Sequence, residues 1–542
     1  MPFSNLGLVH RPTVTGTRGM VASAHPLATL AGVRMLLDGG NAFDAVVAVA
    51  AALNVVEPYM SGIAGVGYAL VRSAKEKEMR VLDYCGHTPY EARAELFDKV
   101  TDKDDGPRSC LVPGACGGWL ELLKTYGTMS PAQVFAPAIE LAEDGFAVTM
   151  LNAKFMGDNG GRLYPTGAEV LLSRGRAPMT GEILIQKNLA QTFRRVAEGG
   201  AEVFYKGDLA KEMVSYIQGE GGWLSEKDLA DFKPEWVDPI VTNYRGYDVY
   251  VPPPPSAGFQ ILQTLNMLEG YDLQEMGHHA ELALHLFIEA VKLGNADRVE
   301  YAAAPDIAID GLISKAYAAK RRALIGERAG VHRGEYYPAH KLPGEIEPGQ
   351  PGDWLGECTT HFDVVDKEGN SVAITQSLGS GFGSGMVVGK TGMFLNNFIR
   401  WGDLVPGSAN CIKPHMKLDM CLSPMQVLRE GELFSALGTP GSWGIQQTSL
   451  QFLTNVLDYG MNIQAGIEAP RFRLASEGTS ASIESRVPHG VLNALEKRGH
   501  DIKRLPDWSP LVGGAQGIVV DAQTGAMMGG ADPRRDGYAI GI

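Results

Sequence analysis

The chain has 542 residues, of which 45% are hydrophobic and 20% charged, and this is enough apolar material to bury a large core. Its formal net charge of −14 argues against a surface for nucleic acid or for an anionic membrane. Six cysteines without a C-x-x-C pair indicate reduced thiols rather than a disulfide scaffold or a zinc site. Met1–Leu6 lacks a basic region followed by an apolar core, so we expect a cytoplasmic protein without a secretory signal.

The N-terminal half alternates helical and strand patterns. Leu27–Leu37 has the apolar spacing of a helix, and Asn41 precedes a second, nearly all-apolar helix. This second stretch, Ala42–Val56, is too short to span a bilayer and reads as a buried helix. Met79–Tyr84 and Asp248–Val251 have the composition of strands.

Further along, Ala280–Arg298 has apolar positions at spacings of three and four, which predicts an amphipathic helix. His285 and Glu289 stand four residues apart on it, a spacing that metal ligands also use. Because no second histidine follows at a zinc-protease spacing, we favour a packing histidine with a solvated or buried, paired glutamate. We therefore expect no metal.

A segment rich in glycine, proline and charge, Arg328–Cys358, separates this helix from an alternating apolar run and predicts a loop. After it, His361–Val365 and Ser371–Gln376 read as two strands. The turn residues Asp366–Asn370 between them predict a hairpin.

The two threonines at the start of this hairpin suggest a specific chemistry. A threonine hydroxyl is a poor nucleophile unless a base lies beside it. A cut between Cys358 and Thr359 would give Thr359 a free α-amino group, which titrates near pH ~8 and can serve as that base. The chain would then consist of a large fragment, 1–358, and a small fragment, 359–542. On the tripeptide alone, a threonine-rich strand start is the more common explanation.

Motifs in matching order from residue 19 to the C-terminus resemble the γ-glutamyltransferase family of N-terminal-nucleophile hydrolases. They are Gly19–Ser23, His25–Thr29, Gly39–Ala45, Val55–Pro58 with Ser61–Ile63, Val112–Gly114, Pro137–Ala142, Pro253–Gly258, Ala296–Arg298, Thr359–Asp366 with Gly369 and Asn370, and Asp532–Arg534 with Gly537.

The resemblance implies an α+β fold, a four-layer αββα sandwich built jointly by both fragments, with Thr359 at the head of a central strand. The fragments would stay together as a heterodimer, and such heterodimers could pair. The resemblance also implies a small-molecule amide substrate and neither a metal nor an organic cofactor.

The same resemblance implies roles for residues around the nucleophile. Ser377 occupies the position of a hydroxyl residue, usually threonine, that orients the α-amino group. Gly438–Ser442 is similar to a Gly-Ser-Pro-Gly-Gly turn in which the N–H groups of Gly441 and Ser442 form the oxyanion hole. Without the family context this segment is a plain turn. Gly379–Gly385 lacks the G-x-G-x-x-G spacing of a phosphate loop and is expected to line the acyl pocket.

The family's contacts to the α-carboxylate and α-amino group of a γ-glutamyl substrate are absent. Their positions hold Cys85 in place of an arginine, Met420 and Cys421 in place of paired serines, Phe398 in place of glutamine or glutamate, and Trp401 in place of aspartate. A buried zwitterion needs a countercharge at each end, so glutathione recognition by the usual contacts is not expected. Arg400 offers a different carboxylate anchor, unless it makes a surface or inter-subunit ion pair.

The sequence therefore predicts a self-cleaving amidohydrolase or acyltransferase that uses Thr359 on a small, carboxylate-bearing acyl group. Two alternatives remain. One is an authentic γ-glutamyltransferase or glutathione hydrolase with a rebuilt pocket, and the other is a non-catalytic binding protein that keeps the fold.

Overall fold

The computed structural model describes residues 9–172, 174–304, 306–330, 358–475 and 480–542. Two seven-stranded antiparallel sheets pack face to face, and helices cover both outer faces. This is the predicted four-layer αββα sandwich. The predicted loop that leads to Cys358 lies for the most part, at residues 331–357, outside the described residues.

The strands, numbered in chain order, are β1 (Val14–Gly16), β2 (Gly19–Ser23), β3 (Val66–Arg72), β4 (Met79–Asp83), β5 (Phe146–Ala147), β6 (Ile183–Leu184), β7 (Glu235–Val237), β8 (Ile240–Tyr244), β9 (Tyr247–Val251), β10 (Cys358–Asp366), β11 (Ser371–Gly379), β12 (Met425–Arg429), β13 (Glu432–Gly438), β14 (Phe472–Leu474), β15 (Ala481–Glu484), β16 (Ile502–Leu505), β17 (Gln516–Val520), β18 (Met527–Ala531) and β19 (Tyr538–Gly541).

The α-helices are α1 (Pro26–Leu37), α2 (Ala42–Val56), α3 (Ala115–Tyr126), α4 (Pro131–Asp144), α5 (Met150–Asn159), α6 (Pro165–Leu171), α7 (Lys187–Tyr205), α8 (Asp208–Gly219), α9 (Glu226–Asp231), α10 (Phe259–Leu268), α11 (Leu273–Met276), α12 (Glu281–Tyr301), α13 (Ile309–Leu312), α14 (Lys315–Arg322), α15 (Ile445–Leu457), α16 (Ile463–Glu468) and α17 (His489–Lys497).

Both large sheets combine strands from the two sides of Thr359. The first has the order β19-β2-β10-β11-β3-β4-β7, with β10 and β11 in its middle. The second has the order β1-β18-β17-β13-β12-β9-β8. Strands β1 to β9 precede Thr359 and strands β11 to β19 follow it. Neither sheet can therefore form from one side of the chain alone.

Helices α1 and α2 confirm the prediction for the N-terminal segment and cover the sheet that contains β10. The Asn41 side chain accepts hydrogen bonds from the backbone N–H groups of Phe43 and Asp44, and the Asp44 carboxylate accepts one from the Asn41 N–H. This capping box fixes the start of α2. All 15 residues of α2 are buried, as expected for a helix without a polar face.

The predicted hairpin is formed by β10 and β11, which pair antiparallel. Its turn is held by the Asp366 carboxylate, which accepts backbone hydrogen bonds from Glu368 and Asn370, each 3.0 Å long. Gly369 has a φ of +85°, which only glycine adopts without strain. The local turn chemistry that the sequence indicated thus sets the register of the two central strands.

The prediction of an amphipathic helix after Ala280 is wrong in one respect, because α12 is buried on every side from Ala283 to Arg298. Polar side chains in this stretch are tolerated since they pair inside the protein. Lys292 contacts Glu289 at 2.7 Å, and Arg298 contacts Asp419 at 3.4 Å. A three-to-four spacing of apolar residues does not reveal such internal pairing.

Two further features bear on the sequence predictions. In the described part of the chain, no helix combines the length and apolar character needed to cross a bilayer. All six cysteines are described and buried, and none of them forms a disulfide.

Candidate active site

Thr359 lies at the start of β10, where the register with β11 is irregular. Cys358 pairs with Gly379 and Thr360 pairs with Gln376, so that two residues of β11, Ser377 and Leu378, lie opposite the single residue Thr359. Thr359 is only 2% exposed. Its hydroxyl is thus buried at an irregular point of the β10–β11 ladder.

Ser377 connects the Thr359 hydroxyl to the carbonyl of the predicted cleavage bond. Thr359 Oγ donates to Ser377 Oγ at 3.3 Å, and Ser377 Oγ donates in turn to the Cys358 carbonyl oxygen. The Gly379 N–H donates to Ser377 Oγ at 2.8 Å and holds it in place. One serine thus lies between the Thr359 hydroxyl and the Cys358 carbonyl.

The turn predicted to form the oxyanion hole contains two residues with a positive φ. Gly441 has a φ of +137° and Ser442 a φ of +50°. For serine this left-handed conformation costs about 1 kcal/mol. Within the described ranges, neither the Gly441 nor the Ser442 amide N–H donates to a protein acceptor. The Ser442 hydroxyl is also buried without a hydrogen-bond partner.

A buried histidine and aspartate connect this turn to β10. His361 Nδ1 lies 2.8 Å from Thr375 Oγ, and His361 Nε2 lies 3.1 Å from Asp363. Burial raises the pKa of Asp363, and the neighbouring His361 opposes the shift. A Cβ atom on Gly438 would lie 2.4 Å from the His361 ring, so that only glycine allows the turn to start this close to β10.

Two charged residues that the sequence analysis did not single out lie behind the nucleophile. Arg535 Nη1 donates to the Thr359 carbonyl oxygen at 3.1 Å. Thr360 Oγ donates to Glu57 Oε2 at 3.3 Å. Burial raises the pKa of Glu57 to about 8, although the nearby Arg535 charge lowers it. Glu57 directly follows the last residue of α2, and no local pattern marks either Glu57 or Arg535.

The residues in place of the family's substrate contacts form one apolar wall. Cys85, Phe398, Met420 and Cys421 belong to the same buried cluster. Burial raises the pKa of the Cys85 thiol well above its usual range, so the thiol stays neutral. It donates to the Gly67 carbonyl at 3.6 Å. All four side chains are uncharged and at most 1% exposed.

Arg400 and Trp401 lie beside this wall on a short 3₁₀ helix, Phe398–Trp401. The Arg400 side chain is 30% exposed, its Nη1 donates to Ser380 Oγ, and its Nε is 3.8 Å from Asp104. Trp401 packs against the end of β11, since a Cβ on Gly379 would lie 3.2 Å from its ring. Arg400 thus contacts both the glycine-rich loop that follows β11 and a partly exposed carboxylate.

His285 and Glu289 form a cluster with His500, which the sequence analysis missed. Ligand atoms of the three residues lie within 4.8 Å of one another, close enough for a metal ion. However, His285 Nδ1 is hydrogen-bonded to His500 Nε2 at 2.8 Å, and Lys292 contacts Glu289 at 2.7 Å. The Lys292 ammonium group pairs with the Glu289 carboxylate, which is the buried, paired glutamate that the sequence favoured.

Known proteins are similar to this chain over nearly its whole length. The family model "Gamma-glutamyltranspeptidase" matches residues 28–542. The chain is 37% identical over 546 residues to "Acylase ACY 1 proenzyme" of Pseudomonas sp. (strain SE83), covering 97% of this chain and 94% of the relative. It is 36% identical over 541 residues to "Glutathione hydrolase-like YwrD proenzyme" of Bacillus subtilis (strain 168), covering 98% of this chain and 99% of the relative.

Among solved structures, the cephalosporin acylase from Bacillus halodurans superimposes with a TM-score of 0.89 at 33% identity. The match covers 100% of this chain and 99% of that one. The chain therefore belongs to the gamma-glutamyltranspeptidase family and is an amide-bond enzyme with the N-terminal-nucleophile hydrolase fold.

Proposed function

We propose that the chain cleaves itself between Cys358 and Thr359 and then removes a small, carboxylate-bearing acyl group from an amide. The observation that carries this proposal is the hydroxyl relay from Thr359 through Ser377 to the Cys358 carbonyl. A nucleophile, a proton acceptor and a polarised carbonyl meet at one peptide bond. Two relatives are named as proenzymes, which supports such a step.

Self-cleavage uses the same atoms that the relay connects. Thr359 Oγ attacks the Cys358 carbonyl carbon while its proton passes to Ser377. The new C–O bond replaces the C–N bond to Thr359, and the released nitrogen takes up a proton. Water then hydrolyses the ester, so that 1–358 ends at Cys358 and 359–542 begins with Thr359. Because both sheets mix strands from the two fragments, the product stays together as a heterodimer.

Turnover repeats this chemistry on a substrate. The free α-amino group of Thr359 takes the hydroxyl proton, Thr359 Oγ forms an acyl-enzyme, and the leaving amine receives the proton. Ser377 orients the α-amino group. The Gly441 and Ser442 N–H groups receive the developing oxyanion, a contribution of about 3 kcal/mol per donor. No step of this sequence requires a metal or an organic cofactor.

The pocket favours an acyl group with a carboxylate and without an ammonium group. Arg400 is partly exposed beside the apolar wall and can bind a carboxylate in a forked geometry. Phe398 and Trp401 replace the residues that hold the α-amino group in the family. Since a buried ammonium needs a countercharge, a glutaryl-type acyl group suits this wall better than a γ-glutamyl group.

One observation favours the alternative of a γ-glutamyl enzyme with a rebuilt pocket. Asp104 lies 3.8 Å from Arg400, and burial raises its pKa while the Arg400 charge lowers it. Together the two side chains could accept a zwitterion. One of the relatives is also named as a glutathione hydrolase-like protein. We rank this alternative second because Arg400 already neutralises Asp104.

A matched pair of anilides separates the two functions. Glutaryl p-nitroanilide and γ-glutamyl p-nitroanilide differ only in the α-amino group. We expect kcat/KM for the glutaryl compound to exceed that for the γ-glutamyl compound at least about tenfold, the effect of one unpaired buried charge. The reverse order, or rapid hydrolysis of glutathione, would establish the alternative. Absence of self-cleavage and of turnover on any amide would indicate a binding protein.

We also propose a cytoplasmic location, which the six cysteines outside disulfides support, since reduced thiols are typical of that compartment.

A further inference from the structure

Arg535 is a buried arginine without an ion pair. It is 3% exposed and lies between β18 and β19, directly after the predicted motif Asp532–Arg534. Its neighbour Arg534 contacts both Glu484 and Asp532. By contrast, within the described ranges no carboxylate lies within 4.0 Å of the Arg535 guanidinium. A buried charge without a counterion is costly, so its retention next to a reactive residue points to a use.

The contacts of Arg535 converge on the nucleophile's own backbone. Nη1 donates to the Thr359 carbonyl oxygen at 3.1 Å and also contacts Met60 Sδ at 3.3 Å. Nε has no hydrogen-bond partner. Gly514 packs against the side chain, since a Cβ there would lie 2.5 Å from Arg535 Cδ. The guanidinium is thus fixed against Thr359 and cannot turn towards solvent.

We propose that Arg535 is a positioning residue that keeps the α-amino group of mature Thr359 unprotonated near neutral pH. This inference rests on the proposed function. The carbonyl oxygen and the nitrogen of one residue belong to the same short backbone unit, so the guanidinium charge lies within about 6 Å of the α-amino group. A like charge at this distance disfavours the protonated amine. More of the free base is then available to activate the hydroxyl.

Glu57 completes this arrangement as a carboxyl that stays largely neutral. It is 1% exposed and accepts a hydrogen bond from Thr360. Burial raises its pKa to about 8, so that it does not cancel the Arg535 charge at lower pH. Other ionisable groups on the elements packed around this end of β10 are Tyr59, Asp104, His361, Asp363, Arg400 and Asp536.

The test is the pH dependence of kcat for the self-cleaved enzyme on the p-nitroanilide that it hydrolyses. Arg535→Gln should shift the acidic limb of the profile to higher pH by about 1 unit. This shift lowers kcat about tenfold at pH 6 and hardly at all on the plateau. Arg535→Lys should return the acidic limb to its wild-type pH, and Glu57→Gln should not shift it to higher pH. Arg18→Gln, the same change at an exposed arginine, is the matched control.

A loss of rate that is equal at every pH in Arg535→Gln would overturn the inference and leave Arg535 a purely structural role. If that variant fails to fold, a measurement on the wild-type enzyme still tests the inference. Titration of the terminal amine by NMR, in protein labelled with ¹⁵N-threonine, should give a pKa below the ~7.7–8.0 of an unperturbed α-amino group. A value at or above that range would contradict the inference. An enzyme that is active without self-cleavage would instead contradict the proposed function.

Discussion

The start of β10, around Thr359, and the acyl pocket proposed beside it are built in opposite ways. Around Thr359 almost every contact is polar and involves backbone, as in the bonds from Ser377 to the Cys358 carbonyl and from Arg535 to the Thr359 carbonyl. The apolar wall of Cys85, Phe398, Met420 and Cys421 is made of side chains, and Arg400 is a partly exposed cation beside it. The difference indicates that the chemistry is fixed by the fold, whereas substrate choice depends on a few replaceable side chains.

Removal of the nucleophile is the largest change that this comparison predicts. Thr359→Ala should leave the chain unsplit and lower kcat/KM by at least about 10⁴-fold, because no other hydroxyl can carry both steps. Gel electrophoresis and anilide hydrolysis measure the two effects. Thr359→Ser is the control and should still cleave and turn over, since it keeps the hydroxyl. Substantial turnover by the alanine variant would place the chemistry elsewhere.

The relay residue should have a smaller effect on both steps. Ser377→Ala removes one hydrogen bond to a reacting group, so we expect self-cleavage and kcat to slow by about 10- to 100-fold. Time courses of precursor conversion, together with kcat for the fully converted enzyme, test this. Ser377→Thr, which keeps the hydroxyl, should restore most of both rates. Equal rates in Ser377→Ala and wild type would remove Ser377 from the mechanism.

Substitution of Arg400 should change KM rather than the rate of self-cleavage. Arg400→Gln should raise KM for glutaryl p-nitroanilide by about 10- to 100-fold, because a charge-assisted contact to the carboxylate is lost. KM for valeryl p-nitroanilide, which lacks that carboxylate, should stay nearly unchanged. Arg400→Lys should rescue the glutaryl substrate only in part. An equal rise in KM for both anilides would mean that Arg400 shapes the wall rather than binding a carboxylate.

Acid should destabilise the protein through groups outside both regions, and this is the smallest effect. Burial lowers the pKa of His279 and His500 to about 3 from an ordinary 6.5. Below pH 6.5 each of these histidines therefore binds more protons in the unfolded chain than in the folded one, and its contribution to the free energy of unfolding falls as the pH drops from about 6.5 towards 3.

Thermal unfolding between pH 7.5 and 5 measures this effect. We expect the midpoint to fall by a few degrees, and His500→Gln should reduce the slope with pH. A midpoint of thermal unfolding that does not change with pH over this interval would contradict the predicted loss of stability in acid. The same series separates acid unfolding from the acidic limb of the rate profile.

The hairpin of β10 and β11 was predicted well from the sequence because its signals are local. The turn Asp366–Asn370 sets the hairpin, and Thr359 and Ser377 stand at fixed places on paired strands. The apolar wall was predicted by resemblance, residue by residue. Its shape was not, since Cys85 and Met420 meet only through the fold.

Glu57, Arg535 and His500 were not identified because single charged residues at long sequence separation carry no period or spacing. The full burial of α12 was missed for a related reason, namely that its polar residues are paired by other elements such as the one carrying Asp419.

The central claim is that the active protein has a covalent break between Cys358 and Thr359. Intact-mass measurement of a freshly purified, active preparation tests it most directly. The account predicts two polypeptides, 1–358 and 359–542, with threonine as the first residue of the smaller one. A fully active preparation with the mass of the unbroken 542-residue chain would contradict it.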